Sequence, residues 1–208
     1  MLESLNRKER FFLVGAALGN PDFQLGPEYA QKLSRSFDLD VPSNSWVAMD
    51  YHLDWISTAL HVKHNELSLG KPWLNGPIED RIVRGNQEDV DLIVGFEEGD
   101  TTVLLLVEAK AATGWTNPQQ NSKAKRLSRI FGAEADRYPG VLPRFALTSP
   151  SKPKNLEVSG WPSWMAPGGC PTWFRLPMAP NRRRVVRSDQ AGRPSKDSGF
   201  AVIKEVVR

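Results

Sequence analysis

Two nearly continuous apolar runs in the middle of the chain limit its possible folds most strongly. Residues 90–96 read VDLIVGF, residues 102–110 read TVLLLVEAK, and the polar sequence 97–100, which contains a glycine, separates them. Runs of this kind joined by turn residues predict a β-hairpin. Because neither run alternates regularly between apolar and polar residues, helices should cover both faces of the hairpin. We therefore expect an α/β (or α+β) fold with a β-sheet flanked by helices.

Helical patterns lie on both sides of this hairpin. Apolar residues at helical spacing predict a first helix that ends at the Gly-Asn-Pro sequence 19–21, and a second helix over residues 27–37. A third helix should follow Ser45. Its apolar stripe would consist of Val47, Tyr51, Trp55 and Leu60. The Asn-Pro sequence 117–118 supplies an N-cap and a first-turn proline for a basic helix that should reach about residue 135.

The remaining sequence indicates short strands within irregular structure. Residues 69–85, rich in Gly, Pro and Asn, are typical of a loop with at most one short strand. Strands are predicted over residues 144–148, 172–176, 183–187 and 200–207. The Pro-rich region 149–180 lies between the first of these strands and the third, and its tryptophans should cover the core. These tryptophans are Trp161, Trp164 and Trp173.

The chain length fits one domain, because 208 residues with 40% hydrophobic content can build one core. We expect N-terminal helices over residues 1–44, a core over 45–150 and a β-rich C-terminal extension over 151–208. The one cysteine, Cys170, excludes an intrachain disulfide, and the first residues do not resemble a signal peptide. Since the longest apolar stretch, 103–107, is too short to cross a membrane, a soluble cytoplasmic protein is expected.

The net charge of +3 conceals an uneven distribution of charged residues. Residues 1–109 carry 9 Lys and Arg against 18 Asp and Glu, whereas residues 110–208 carry 18 against 6. A basic half of this size favours a polyanionic partner, because lysine and arginine neutralise phosphates and release condensed counterions. Alternatively, the two halves neutralise each other within the fold. The residues expected to contact nucleic acid are Lys123, Arg126, Arg129 and Arg183.

The ends of the two hairpin strands bring together the residues that could carry chemistry. Side chains two positions apart in a strand point the same way, so Glu108 and Lys110 should share one face. Asp91 lies at the start of the preceding strand, and antiparallel pairing places the start of one strand beside the end of the next. Counted from the turn, Asp91 and Glu108 lie at nearly equal distances. The sequence therefore predicts that these two carboxylates meet.

Two carboxylates at the edge of an apolar sheet repel each other and favour a bound cation. A set of oxygen ligands suits Mg²⁺ or Mn²⁺ better than zinc. Such an ion can polarise a phosphoryl oxygen and lower the pKa of a bound water. Lys110 beside it could orient that water or neutralise charge in the transition state. The predicted catalytic residues are therefore Asp91, Glu108 and Lys110.

This arrangement of Asp91, an apolar strand, a turn, a second apolar strand and the Glu-Ala-Lys sequence 108–110 resembles the PD-(D/E)xK nuclease superfamily. The resemblance covers residues 45–149 and implies a restriction-endonuclease-like core with a mixed β-sheet flanked by helices, in the order helix, three-stranded meander, helix and strand. It implies that Asp91 and Glu108 bind Mg²⁺ and that Lys110 helps to position the attacking water. The implied activity is Mg²⁺-dependent hydrolysis of phosphodiester bonds, by an endo- or exonuclease acting on DNA in preference to RNA.

The sequence departs from the family pattern at the first acidic residue. Val90 rather than proline precedes Asp91, and Asp89 competes with Asp91 as the first metal ligand. Members of the family also carry an acidic residue before the meander and a glutamine or basic residue on the helix after it. Candidates for the first role are Asp50, Asp54 and Glu66. Candidates for the second role are Gln119, Gln120 and Lys123.

Several alternatives remain open at the level of sequence. Glu108 and Lys110 could form a surface ion pair while Asp91 caps a turn. A second function class is a catalytically inactive, nuclease-like module that binds nucleic acid or a protein. The arginine run at 182–184 could likewise guard an exposed edge strand. The oligomeric state is undetermined, and a homodimer is one expectation.

Overall fold

The structure is a computed structural model. It describes residues 1–5, 9–19, 24–68, 70–85, 88–111, 114–177, 181–197 and 199–205. Two features expected from the sequence fall partly outside these residues: the stop sequence at 20–21 and the end of the last strand at 206–207.

Four α-helices and seven β-strands are present in the described residues. The helices are α1 (Glu9–Ala17), α2 (Pro27–Phe37), α3 (Leu53–His64) and α4 (Asn117–Phe131). The strands are β1 (Trp46–His52), β2 (Asp89–Glu98), β3 (Thr101–Ala109), β4 (Val141–Ser149), β5 (Thr172–Arg175), β6 (Arg183–Ser188) and β7 (Phe200–Glu205). Short 3-10 helices occupy Leu2–Ser4, Ile78–Asp80 and Pro167–Gly169. None of the helices in the described ranges is long and apolar enough to span a membrane.

A five-stranded mixed sheet in the order β1-β2-β3-β4-β5 forms the centre of the fold. Strands β1, β2 and β3 pair antiparallel, whereas β4 is parallel to β3 and β5 is parallel to β4. Strands β6 and β7 form a separate antiparallel hairpin. The expected α/β class with a mixed sheet flanked by helices is confirmed.

The side chains of β3 alternate between two apolar clusters, so both faces of the sheet are buried. Leu104 and Leu106 pack with Leu127 of α4 and residues of α3. Leu105 lies in the opposite cluster, together with Leu33 of α2. The molecule therefore has three layers, with α2 on one face of the sheet and α3 and α4 on the other.

The helix expected after Ser45 is a strand followed by a helix. Residues 46–52 form β1, which pairs with β2 from Trp46 opposite Gly95 to His52 opposite Asp89. The four apolar residues that suggested one helix are divided between these two elements. Their spacing resembled that of one helix because Tyr51, from a strand, and Leu60, from a helix, are buried in the same apolar cluster. Helix α3 starts only at Leu53.

Two further boundaries differ from expectation. The first predicted helix is divided into a 3-10 turn at Leu2–Ser4 and the shorter α1. Helix α4 ends at Phe131 rather than near 135, because Gly132 adopts a positive φ of 91° that leaves the helical conformation.

The region after residue 150 contributes to the core. Strand β5 is the fifth strand of the central sheet. Trp161, Trp164 and Met165 are buried in the cluster that includes α3 and α4. These tryptophans cover the core, as the sequence predicted, and the Trp161 indole also donates to Asn121 Oδ1 at 2.8 Å.

Strands β1 and β2 share an irregularity beside the end of β3. On β2, Val90 and Ile93 belong to the same apolar cluster although three residues separate them, so the strand changes face between them. Asp50 of β1 has a φ of 46°, which is uncommon for a residue with a side chain. Regular pairing connects Met49 with Leu92 and continues at Tyr51 with Val90. The irregularity therefore lies at the level of Asp50 and Asp91.

A buried ion pair joins α3, α4 and the loop before β2. Asp54 Oδ1 lies 2.6 Å from Arg126 Nη2, and both side chains are buried. Asp54 Oδ2 accepts hydrogen bonds from the backbone N–H groups of Arg84 and Gly85, at 2.9 and 2.7 Å. Arg126 donates to the Ile82 carbonyl at 2.6 Å. This pair fixes the loop against both helices.

Removal of one partner from this pair should destabilise the fold strongly. We expect Arg126→Met to lower the free energy of unfolding by about 3 to 5 kcal/mol, because the Asp54 carboxylate would remain buried without its countercharge. Urea denaturation measures the effect. Arg129→Met, at an exposed position of the same helix, is the matched control and should change stability by less than about 0.5 kcal/mol. Equal effects of the two substitutions would contradict the structural role of the pair.

Candidate functional site

Glu108 is a buried carboxylate at the C-terminal end of the central strand β3. It follows Leu104 and Leu106 on the face covered by α3 and α4, and only 2% of its surface is exposed. Its backbone lies opposite Leu147 of β4. Because a buried charge without a partner is costly, this position requires a countercharge or a proton.

Lys123 of α4 supplies that countercharge. Its ammonium donates to Glu108 Oε1 in a short contact, and also to the backbone carbonyl of Asp89 at 2.5 Å. Lys123 is itself 6% exposed. The ammonium is therefore enclosed between the start of β2, the C-terminal end of β3 and the first half of α4.

Asp91 meets the end of β3 through a reciprocal pair of hydrogen bonds. Regular pairing of β2 with β3 ends at Leu92 opposite Val107, and Asp91 and Glu108 are the next residues of the two strands. Asp91 Oδ2 accepts from the backbone N–H of Ala109 at 2.6 Å. In turn, the Glu108 carboxylate accepts from the backbone N–H of Asp91. The two predicted carboxylates are thus brought together at one end of the hairpin.

Burial raises the pKa of Glu108 to about 7. The positive charge and hydrogen bond of Lys123 oppose this rise, as does the Asp91 backbone N–H, whereas the neighbouring Asp91 carboxylate adds to it. A carboxyl group of this kind can hold or release a proton near neutral pH.

Lys110 lies just beyond β3. Its backbone N–H donates to the Thr148 carbonyl at 3.0 Å, which extends the parallel pairing with β4 by one residue. Its side chain is partly exposed. Continued strand alternation would direct that side chain to the face of Glu108.

The rival acidic residues occupy other positions. Asp89 begins β2 and contributes its backbone carbonyl to Lys123. Asp54 is committed to Arg126 and to the loop before β2. Asp50 lies at the irregularity in β1, and Glu66 is exposed just after α3.

The candidates on α4 divide into buried and exposed residues. Gln120 is 1% exposed, and neither polar atom of its amide has a hydrogen-bond partner in the described part of the chain. Gln119 and Arg129 are exposed.

Lys123 and Arg126 were expected to contact nucleic acid, but both are buried in ion pairs. The expectation of a surface phosphate contact is therefore corrected for these two residues. Arg183 is exposed on β6, which belongs to the separate β6–β7 hairpin.

The pairing of Glu108 with Lys123 was not predicted from the sequence. One signal was available, because Lys123 lies three residues after Gln120 and four before Leu127, and these positions share one face of a helix. Leu127 is fully buried. A lysine in that stripe must find a buried acceptor.

The oxygen atoms at this site suit a hard divalent cation in type but are few in number. The Asp91 and Glu108 carboxylates and the Asp89 carbonyl are oxygen donors of the kind that Mg²⁺ and Mn²⁺ take. Among the described residues, no group of three or more His, Cys, Asp and Glu side chains could hold a metal ion. An ion bound here would therefore need water or substrate oxygens to complete its coordination.

Comparisons with known proteins give no match to a family model, to a curated protein or to a solved structure. A function is accordingly inferred from the chemistry of the site itself.

Stability should depend on pH through Glu108. The pKa is raised from 4.5 to about 7 in the folded protein, so between these pH values the folded state keeps a proton that the unfolded chain has released. The retained proton stabilises the folded state by about 3 kcal/mol. This contribution is complete below about pH 4.5 and is lost as the pH rises to about 7.

Unfolding free energies of wild type and Glu108→Gln, measured across this range, test the prediction. The difference in unfolding free energy, wild type minus variant, should decrease as the pH rises from about 4.5 to about 7. Above about pH 7 it should stay constant. A difference that does not vary with pH would show that Glu108 titrates alike in both states.

Proposed function

We propose that the protein is a Mg²⁺-dependent nuclease with a PD-(D/E)xK-type site, which hydrolyses phosphodiester bonds of nucleic acid. The observation that carries the proposal is the meeting of Asp91 and Glu108 at one end of the apolar hairpin. Burial of Glu108 beside the Asp91 carboxylate favours a cation at this end of the hairpin, a need that Lys123 meets in the structure. DNA is preferred over RNA as substrate on the resemblance alone.

The order of elements supports this proposal. Within residues 45–149, the antiparallel strands β1 to β3, helix α4 and the parallel strand β4 follow the order that the resemblance implies, and helix α2 precedes them outside that range. Helix α3 and the loop after it are inserted between the first two strands of the meander. Strand β5 extends the sheet beyond β4.

Each residue of the proposed site has a distinct task. Asp91 and Glu108 would hold the metal ion, which when bound supplies Lewis acidity toward a phosphoryl oxygen. Lys110, partly exposed just beyond the end of β3, would orient the attacking water and stabilise the additional negative charge on the phosphate in the transition state. The partial exposure of Asp91 and Lys110 leaves an approach for a substrate.

Cleavage assays test the proposal. Wild type should cleave plasmid or single-stranded DNA in the presence of Mg²⁺ or Mn²⁺, and Asp91→Asn, Glu108→Gln and Lys110→Ala should each lose at least about 100-fold in rate. Glu98→Gln and Lys125→Ala alter exposed residues away from the site and serve as matched controls. If wild type and Lys110→Ala were equally inert on DNA and RNA, the protein would not be a nuclease.

A second candidate function is binding of nucleic acid without cleavage. The observation that favours it is the β6–β7 hairpin, one face of which is exposed along its full length. On this face Arg183 and Arg187 flank Val185 and Ile203, which are 72% and 66% exposed. A basic two-stranded ribbon can enter the major groove of a duplex and contact phosphates.

Salt-dependent binding tests this second function. The double substitution of Arg183 and Arg187 by alanine should weaken DNA binding and reduce the slope of log affinity against log salt by about 0.9 for each phosphate that the protein no longer neutralises. Arg35→Ala, an exposed arginine of α2, is the control and should leave the slope unchanged. Absence of binding at low salt would instead indicate a protein partner.

A further inference from the structure

Lys123 occupies the position in which a metal ion would contact Glu108. Its ammonium contacts one oxygen of that carboxylate and the backbone carbonyl of Asp89. A carboxylate and a carbonyl oxygen are also the ligands that a hard divalent cation takes. A lysine ammonium is a compact point charge, so it can satisfy the same oxygen atoms in place of a metal.

Two cations cannot share this position. Like charges a few ångströms apart in a buried setting repel each other strongly. Glu108 and Lys123 are 2% and 6% exposed, so little water is available to screen them. A metal ion that binds Glu108 must therefore displace the Lys123 ammonium.

We propose that Lys123 is an internal competitor of the metal ion, which closes the site in the metal-free protein and moves away when a divalent cation binds. This inference rests on the proposed metal site of the nuclease. The lysine side chain has four flexible carbon–carbon bonds, which permit the movement without a shift of α4.

The inference predicts that removal of the ammonium tightens metal binding. Calorimetric titration with Mn²⁺, at about pH 8 where carboxylates are ionised, compares wild type with Lys123→Met. The variant should bind Mn²⁺ at least about tenfold more tightly, since the ion no longer has to break a buried ion pair. Lys125→Met changes an exposed lysine of the same helix and should bind as wild type does. Adding Glu108→Gln to the Lys123→Met protein should abolish the gain.

A second measurement uses the unaltered protein, because Lys123→Met leaves a buried carboxylate and could impair folding. Labelling by an amine-reactive reagent, followed by mass spectrometry, reports how accessible each lysine is. Mg²⁺ should raise the labelling rate of Lys123 severalfold and leave that of Lys125 unchanged.

Unchanged or weaker Mn²⁺ affinity of a folded Lys123→Met protein, or a Lys123 labelling rate unaffected by Mg²⁺, would overturn the inference. These outcomes are separate from cleavage. A protein that cleaves DNA but shows neither effect would be a nuclease without this competition. Competition in a protein that cleaves nothing would retain the inference and refute the proposed activity.

Discussion

Burial of both faces of β3 requires a helical layer on each side of the sheet, because its leucines and valines alternate between two separate apolar clusters. The same alternation decides where Glu108 lies. Its side chain has the parity of Leu104 and Leu106, so it enters the layer of α3 and α4 rather than solvent. The chemical centre of the molecule is thus placed by the same pattern that builds its core.

Two buried ion pairs fasten α4 to the rest of the fold. Lys123 reaches the end of the sheet, and Arg126, three residues later, reaches Asp54 of α3. The uneven charge of the chain is partly explained by these contacts, since both join a basic residue of the second half with an acidic residue of the first. Internal neutralisation and a basic exterior are therefore both present, because β6 still exposes its arginines.

The hairpin and the beginning of α4 were predictable, because continuous apolar runs and an Asn-Pro start are local signals. The position of Asp91 opposite Glu108 followed from counting residues away from the turn. Strand β1 was not predictable, because the spacing of Tyr51 and Leu60 is compatible with one helix. The left-handed conformation of Asp50 and the burial of Lys123 depend on partners in distant elements, which no local pattern contains. Whether the site is catalytic stays a prediction.

The parallel pairing of β3 with β4 bears on how the chain reaches its native state. The hairpin of β2 and β3 closes through a short turn, whereas the contact of Glu108 with Leu147 can form only after all of α4 has been synthesised. Contacts of such wide sequence separation slow folding. During translation, β3 would therefore wait with the backbone hydrogen-bonding groups of one edge unpaired. A nascent chain with an unpaired strand edge and uncovered apolar faces is exposed to aggregation.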